Sequence, residues 1–424
     1  MSPRYHLVYA PRAVHAYPSQ LADFVLDLWP AERPLGIDRR ALVELLSTCF
    51  QASLTREEGR QVRFRLVVAS PEDVTRAVEP EHFLPLELAQ REPLSPEQLT
   101  RLSPAAPFHS SLIGASLGAG GWVIWGLVHT GADWLAPSWG GRDHHRTLGL
   151  PEVHVLGPGR LGVYAGRDLI ATLERGMIEA TTTDVFTSEW LPRLFRPLLA
   201  TERRAPDATP SVADGALVRM IAQHMVRRAV FLVRQAGNGG MILFADPELV
   251  TKCVLATSPT LKLKYAFLAG EARERFRHLQ GRLVRALEEP GGGRPVSVER
   301  FLDMDTAEVA RIEQAIFDVS SLIAGLADVD GAVLLDKRME IIGFGAEVSG
   351  ELPYPDVVWQ ALDVEGEKRA PEPANRVGTR HRAAYRYVTA HPAGLAIVIS
   401  HDGVVRFVAN HDGEVVCWDQ FLNW

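Results

Sequence analysis

Gly378-Thr379-Arg380-His381-Arg382-Ala383-Ala384, read together with Asp330-Gly331-Ala332 upstream, decides how the second half of this 424-residue chain is organised. The pattern predicts a helix from about Arg380 to Ala390, with Thr379 as its N-cap and Pro392 just past its end. A helix N-terminus presents unsatisfied N–H groups and the positive end of the backbone dipole. Two guanidiniums and an imidazole in that first turn work against the dipole. Such a turn calls for an anion, and phosphate suits it best. Taken alone, Arg380, His381 and Arg382 read equally as a solvated helix face. Asp330-Gly331 alone reads as a turn, but Val333, Leu334 and Leu335 carry it on as a strand.

Working outward, a helix is expected from about Gly215 to Arg234, with Leu217, Met220, Ile221, Met225 and Val226 on one face. Gly237-Asn238-Gly239-Gly240 ends it, and Met241–Ala245 follows as a buried strand. The run from Leu261 to Leu287 reads as one long amphipathic helix, and Pro290–Gly293 as a loop. Asp305 and Glu308 form a capping box for a helix to about Ala327. A hairpin takes in Gly331–Leu335 and Met339–Phe344, turning at Asp336-Lys337-Arg338. Ile341-Ile342-Gly343-Phe344-Gly345 suggests a close backbone approach, a ligand being one candidate. Strands at Leu395–Ser400, Val404–Ala409 and Glu414–Trp418 complete a mixed sheet, with Asp-Gly turns at 402–403 and 412–413.

This order of elements, with Asp-Gly-Ala preceding Arg-His-Arg, resembles the diadenylate cyclase domain over about residues 211–424. The resemblance is specific at the two motifs and loose elsewhere. It implies condensation of two ATP molecules into cyclic di-AMP with release of two pyrophosphates, assisted by Mg²⁺ or Mn²⁺. By the same resemblance Asp330 binds the metal and helps activate a 3′-hydroxyl. Arg380, His381 and Arg382 serve the triphosphate. Gly331, Ala332, Gly378, Thr379 and Ser400 border the nucleotide. Each domain would hold one ATP, so catalysis implies a homodimer or higher homo-oligomer with facing sites.

Two departures qualify that reading. The interval between Asp330 and Arg380 is longer than the family's, the excess being the polar stretch Glu365–Arg376, read as an inserted loop. After the strand ending at Ser400, where the family has acidic residues that assist with the metal, this chain has Ser400-His401-Asp402-Gly403. His401 and Asp402 are the candidate replacements as metal ligands. If they fail, the domain binds ATP or a cyclic dinucleotide without turnover. A third reading is an unrelated regulatory or scaffold protein with a fortuitous motif.

Length predicts two domains, and the fold class expected is α+β / α/β: residues 1–200 as a separate α+β domain, 201–214 as linker, and 215–424 as the cyclase-like domain. The linker, Thr201–Asp214, is polar, carries two prolines and lacks hydrophobic periodicity. A net charge of −7 argues against a nucleic-acid surface. Arginine supplies most of the positive charge. No apolar run reaches membrane-spanning length and Met1–His6 has no signal core. The three scattered cysteines, Cys49, Cys253 and Cys417, fit a reduced cytoplasmic compartment.

In the first half, Asp38 is the expected cap of a helix to about Gln51, with Leu42, Leu45, Leu46 and Cys49 on one face. Val62–Val68 and Trp122–Val128 read as strands. A meander follows over Val153–Leu156, Leu161–Ala165, Leu169–Leu173 and Met177–Ala180. The arrangement looks like the N-terminal sensor domains of bacterial diadenylate cyclases, with an unknown signal ligand. Trp122, Trp125, Trp134 and Trp139 near His129 read either as an aromatic ligand pocket or as a core and its rim. Asp143-His144-His145 reads as a metal ligand pair or, lacking a second group at defined spacing, as a polar loop.

Overall fold

In a computed structural model of the chain, the residues described are 15–33, 35–77, 83–131, 149–166, 168–174, 176–179, 184–195, 214–288, 295–304, 306–374, 377–401 and 403–420. They form two compact units, one drawn from residues before 183 and the other from 183–422. The chain enters the second unit well ahead of the expected linker. Val185, Phe186, Trp190 and Leu191 already belong to the second unit's core. The linker itself lies outside the described residues, apart from Asp214.

In the first unit, helices α1 (Pro18–Leu28) and α2 (Arg39–Ser53) cover one face of an eight-stranded sheet. Asp38 starts α2 as expected, its carboxylate accepting from the Ala41 N–H at 2.8 Å. Leu42, Leu45, Leu46 and Cys49 are buried together because helical spacing places them on one stripe. The strands are β1 (Phe64–Val68), β2 (Leu84–Pro93), β3 (Ser111–Gly118), β4 (Gly121–His129), β5 (Pro151–Gly157), β6 (Arg160–Ala165), β7 (Asp168–Glu174) and β8 (Met177–Glu179). Their order is β8-β7-β6-β5-β1-β3-β4-β2, antiparallel except for the parallel β1/β3 pair. The expected meander is therefore present as β5 to β8.

The second unit places helices on both faces of a nine-stranded mixed sheet. Helix α3 (Gly215–Ala236) ends on Gly237 in the left-handed conformation, φ +75°, and leads into β9 (Gly240–Ala245). Helix α4 (Pro247–Val254), strand β10 (Leu261–Ala266), helix α5 (Arg275–Leu287) and helix α6 (Ala307–Ala327) follow. Then come β11 (Ala332–Asp336), β12 (Ile341–Val348), β13 (Val358–Ala361), β14 (Arg369–Glu372), helix α7 (Thr379–Ala390), β15 (Leu395–Ile399), β16 (Val405–His411) and β17 (Glu414–Gln420). The sheet order is β10-β12-β11-β9-β15-β16-β17-β13-β14. Helices α3, α5 and α6 cover one face, and α4 and α7 the other. Strands β9 and β15 are buried along their whole length, which is why both read as continuous apolar runs.

Four expectations are corrected. Leu261–Leu287 is not one helix. Leu261-Lys262-Leu263-Lys264-Tyr265 also has a period of two, and β12 offers an unpaired edge that β10 fills antiparallel. The helix begins only at Arg275. Helix α6 is capped by Thr306, whose Oγ1 accepts from the Val309 N–H, and Asp305 lies outside the described residues. Helix α7 starts one residue early, with Gly378 as N-cap and Thr379 already helical. The polar stretch Glu365–Arg376 is not a free loop. It contains β14, which pairs with β13 and widens the sheet.

Strand β14 and helix α7 are tied to the sheet through Arg406 on β16. Its guanidinium donates to Asp419 at 2.6 Å, to Glu372 at 2.8 Å and to the Tyr385 hydroxyl at 3.0 Å. Arg406→Met would leave Glu372 and Asp419 mostly buried without their cation. A loss of about 3–5 kcal/mol in denaturant unfolding of the second unit is expected, with the midpoint falling accordingly.

His224 on α3 supplies a pH-dependent term. Its burial, with Arg228 and Arg227 nearby, pushes its pKa down to about 3. The unfolded chain takes up that proton near pH 6.5 and the folded one only near pH 3, so acid favours unfolding across this window. His224→Gln should flatten the loss of stability between neutral and acid pH, as read from thermal midpoints across a pH series.

Candidate active site

The strand register brings the two motifs together. Gly240 on β9 is opposite Ile399 on β15, and Ala332 on β11 is opposite Ala346 on β12. Because β9 and β11 run parallel, with Ile242 beside Val333, the residues preceding both strands lie at the same sheet end as Ser400. The N-terminus of α7 reaches that end. A cleft of about 670 Å³ opens there, bordered by Asp330, Gly331, Gly378, Thr379, Arg380, His381, Ser400 and His401. That volume is in the range of small-molecule sites. Two expected residues do not border it. Ala332 is buried in the sheet, and Arg382 is exposed one step along α7. Asp402 lies outside the described residues.

The first turn of α7 contains no acidic residue, and Gly378 provides no side chain to accept from its N–H groups. Arg380 is exposed, and its Nη1 donates to the Asn238 carbonyl at 3.3 Å. Among the described residues neither Arg380 nor Arg382 forms an ion pair. Positive charge and a helix N-terminus without a side-chain cap therefore face the same space, which suits a multiply charged anion. Half-buried His381 borders the cleft, its ring 6.5 Å from that of Tyr385.

Glycines around the cleft answer to neighbouring backbone. Gly331 has φ +107°, and a β-carbon there would lie 2.7 Å from the Gly345 carbonyl carbon. At Gly343 a β-carbon would collide with the Tyr265 carbonyl oxygen on β10. The close approach expected around Ile341–Gly345 is thus made with β10 and Gly331. Gly239, with φ +67°, faces both Arg380 and the Ile399 carbonyl.

Sequence reasoning missed Glu347, Met241 and Ser349, which also border the cleft. Glu347 pairs with Lys264, Nζ to Oε1, at 2.6 Å. The signal for it was the alternation of Lys262 and Lys264 on an edge strand, obscured by the helical reading. Asp330 is exposed in the connection between α6 and β11. Among the described residues no three His, Cys, Asp or Glu side chains are close enough to hold a metal ion. Asp330 offers a hard oxygen donor to the cleft, while Glu347 is taken up by Lys264. Mg²⁺ commonly takes one or two carboxylates and completes its shell with phosphate oxygens and water, so the donor chemistry fits.

In the first unit, Trp122 and Trp125 are core residues that donate to the Ala41 and Ala69 carbonyls at 3.0 and 2.8 Å. Trp134, Trp139 and Asp143-His144-His145 lie outside the described residues. Arg65, also missed, is buried and donates to the Phe108 carbonyl at 2.9 Å and to the Thr130 hydroxyl at 3.0 Å.

Gly239→Ala should destabilise the second unit by about 1–3 kcal/mol, because it adds left-handed strain and a β-carbon 2.8 Å from both the Ile399 oxygen and Arg380 Nη1. Thermal unfolding of the variant against the parent checks this.

Among the described residues no helix is long and apolar enough to cross a membrane. No curated protein and no solved structure matches the chain. Residues 35–129, the stretch from just before α2 to the end of β4, match a family model described as a probable sensor domain, DACNV.

Proposed function

We propose that the second unit is a diadenylate cyclase and that the first unit regulates it in response to a signal. The observation that carries this reading is the convergence of Asp330-Gly331 with Gly378-Thr379-Arg380-His381 in one cleft. The sensor-domain match in the first half supports the regulatory part. Each reaction joins a 3′-oxygen of one ATP to the α-phosphorus of the other. The bond from that phosphorus to the bridging oxygen breaks, and pyrophosphate leaves. Two such transfers close the ring, and no protein nucleophile is needed. The chain has to align the groups and offset phosphate charge.

Arg380 and the N-terminus of α7 bind and orient the triphosphate, with His381 beside them. Asp330 accepts the proton from the 3′-hydroxyl. A bound Mg²⁺ or Mn²⁺, held by Asp330 with His401 at the margin, would supply neutralisation of phosphate charge. Ser400 borders the nucleotide. Arg382 stands outside the cleft and is exposed. The chemistry requires two ATP-loaded sites to meet, so the active form is a homodimer or a larger homo-oligomer.

A second reading is favoured by Ser400-His401 standing where the resembling family carries acidic residues. In that reading the cleft binds ATP or a cyclic dinucleotide and reports its presence without turnover.

Purified protein incubated with ATP and either Mg²⁺ or Mn²⁺ should yield cyclic di-AMP and pyrophosphate, identified chromatographically, and Asp330→Ala should yield neither. Arg380→Ala should raise the KM for ATP roughly tenfold, the scale of a lost charge-assisted contact. Saturable ATP binding with no product would select the sensor reading. Absence of ATP binding would overturn both.

A further inference from the structure

We infer that Glu347 is a positioning residue of the cleft, holding the Lys264 ammonium away from Asp330 so that the Asp330 carboxylate stays available to a cation. This deepens the cyclase reading and rests on it. The argument begins with backbone packing. Gly331, the residue after Asp330, sits directly against Gly345. Lys264 lies over the other side of Gly345, where an added β-carbon would be 3.2 Å from the Lys264 β-carbon. Larger residues at Gly331 or Gly345 would hold β10 off this end of the sheet. With glycine at both, Lys264 packs over the segment that leads from Asp330 into the sheet.

Lys264 therefore has two carboxylates to choose between. Its direct partner is Glu347, at 2.6 Å. Register explains the choice: Lys262 is opposite Glu347, so Lys264 is its diagonal neighbour across the β10/β12 pair. The two side chains are 46% and 50% exposed, so the pair adds little to folding stability. Its consequence is local. Without the Glu347 carboxylate, the anion left to Lys264 is Asp330. An ammonium seated on Asp330 would oppose a divalent cation there.

The test uses the full chain with Glu347→Gln, Lys264→Met and the double variant. Mn²⁺ binding is followed by calorimetry in the presence of a non-hydrolysable ATP analogue. Glu347→Gln should weaken Mn²⁺ binding about three- to fivefold, the size of one exposed ion pair. Lys264→Met should tighten it, and the double variant should return to the parent value or better. Thermal midpoints should stay close to the parent's in all three. A double variant as weak as Glu347→Gln would overturn the positioning role and make Glu347 a direct ligand. An unchanged Glu347→Gln would also overturn it. The expected pattern in a protein that forms no cyclic di-AMP would keep the positioning role and reject the cyclase reading. A parent that binds no Mn²⁺ with the analogue overturns both.

Discussion

The alignment of β9 with β11 on one side and β15 on the other is the constraint from which the second unit's site follows. Asp330 and Arg380 are far apart in the chain. They meet because one precedes β11 while the other begins α7, which leads through a short turn into β15. Sliding β15 by one residue would exchange Leu395, Ile397 and Ile399, packed in one core, with Ala396 and Val398, packed in the core on the other face, so the two cores enforce the register. The cleft's geometry is thus set by hydrophobic burial beneath it. Its polar residues contribute little to that alignment.

A second layer of organisation is electrostatic. Arg406 gathers Glu372, Asp419 and Tyr385 under α7, so the helix carrying Arg380 is anchored on its inner face by a largely desolvated cation. Its outer first turn keeps positive charge and an uncapped N-terminus toward the cleft. The contrast is physical. Inside, each charge has a partner because burial makes an unpaired charge costly. At the cleft, Arg380 has a backbone carbonyl as its hydrogen-bond partner and no carboxylate among the described residues. The result is a rigid inner support beneath a rim whose Arg380 has no carboxylate partner among the described residues.

The first unit has its own core and its own sheet, and the sensor-domain match falls inside it. Of the tryptophans that suggested a pocket, Trp122 and Trp125 lie on opposite faces of that sheet. Trp122 packs with the α1/α2 core and Trp125 with Val67, Val74 and Leu112. Successive residues along β4 alternate between faces, so closeness in sequence separated them in space.

Local features were legible without coordinates. Asp38 capped its helix because a carboxylate beside free N–H groups acts locally. The β5–β8 meander followed from turn residues between apolar runs. The two motifs and their anion-seeking chemistry were visible in residue types alone. Tertiary structure decided what local rules leave degenerate. Leu261–Ala266 satisfied both helical and strand periods, and the open edge of β12 selected the strand. Glu365–Arg376 had loop composition, yet pairing with β13 and the Arg406 ion pairs ordered part of it as β14. Glu347 carried no motif at all. Its place beside Asp330 depends on cross-strand register and on two glycines packed face to face, contacts between residues far apart in the chain that no local pattern encodes.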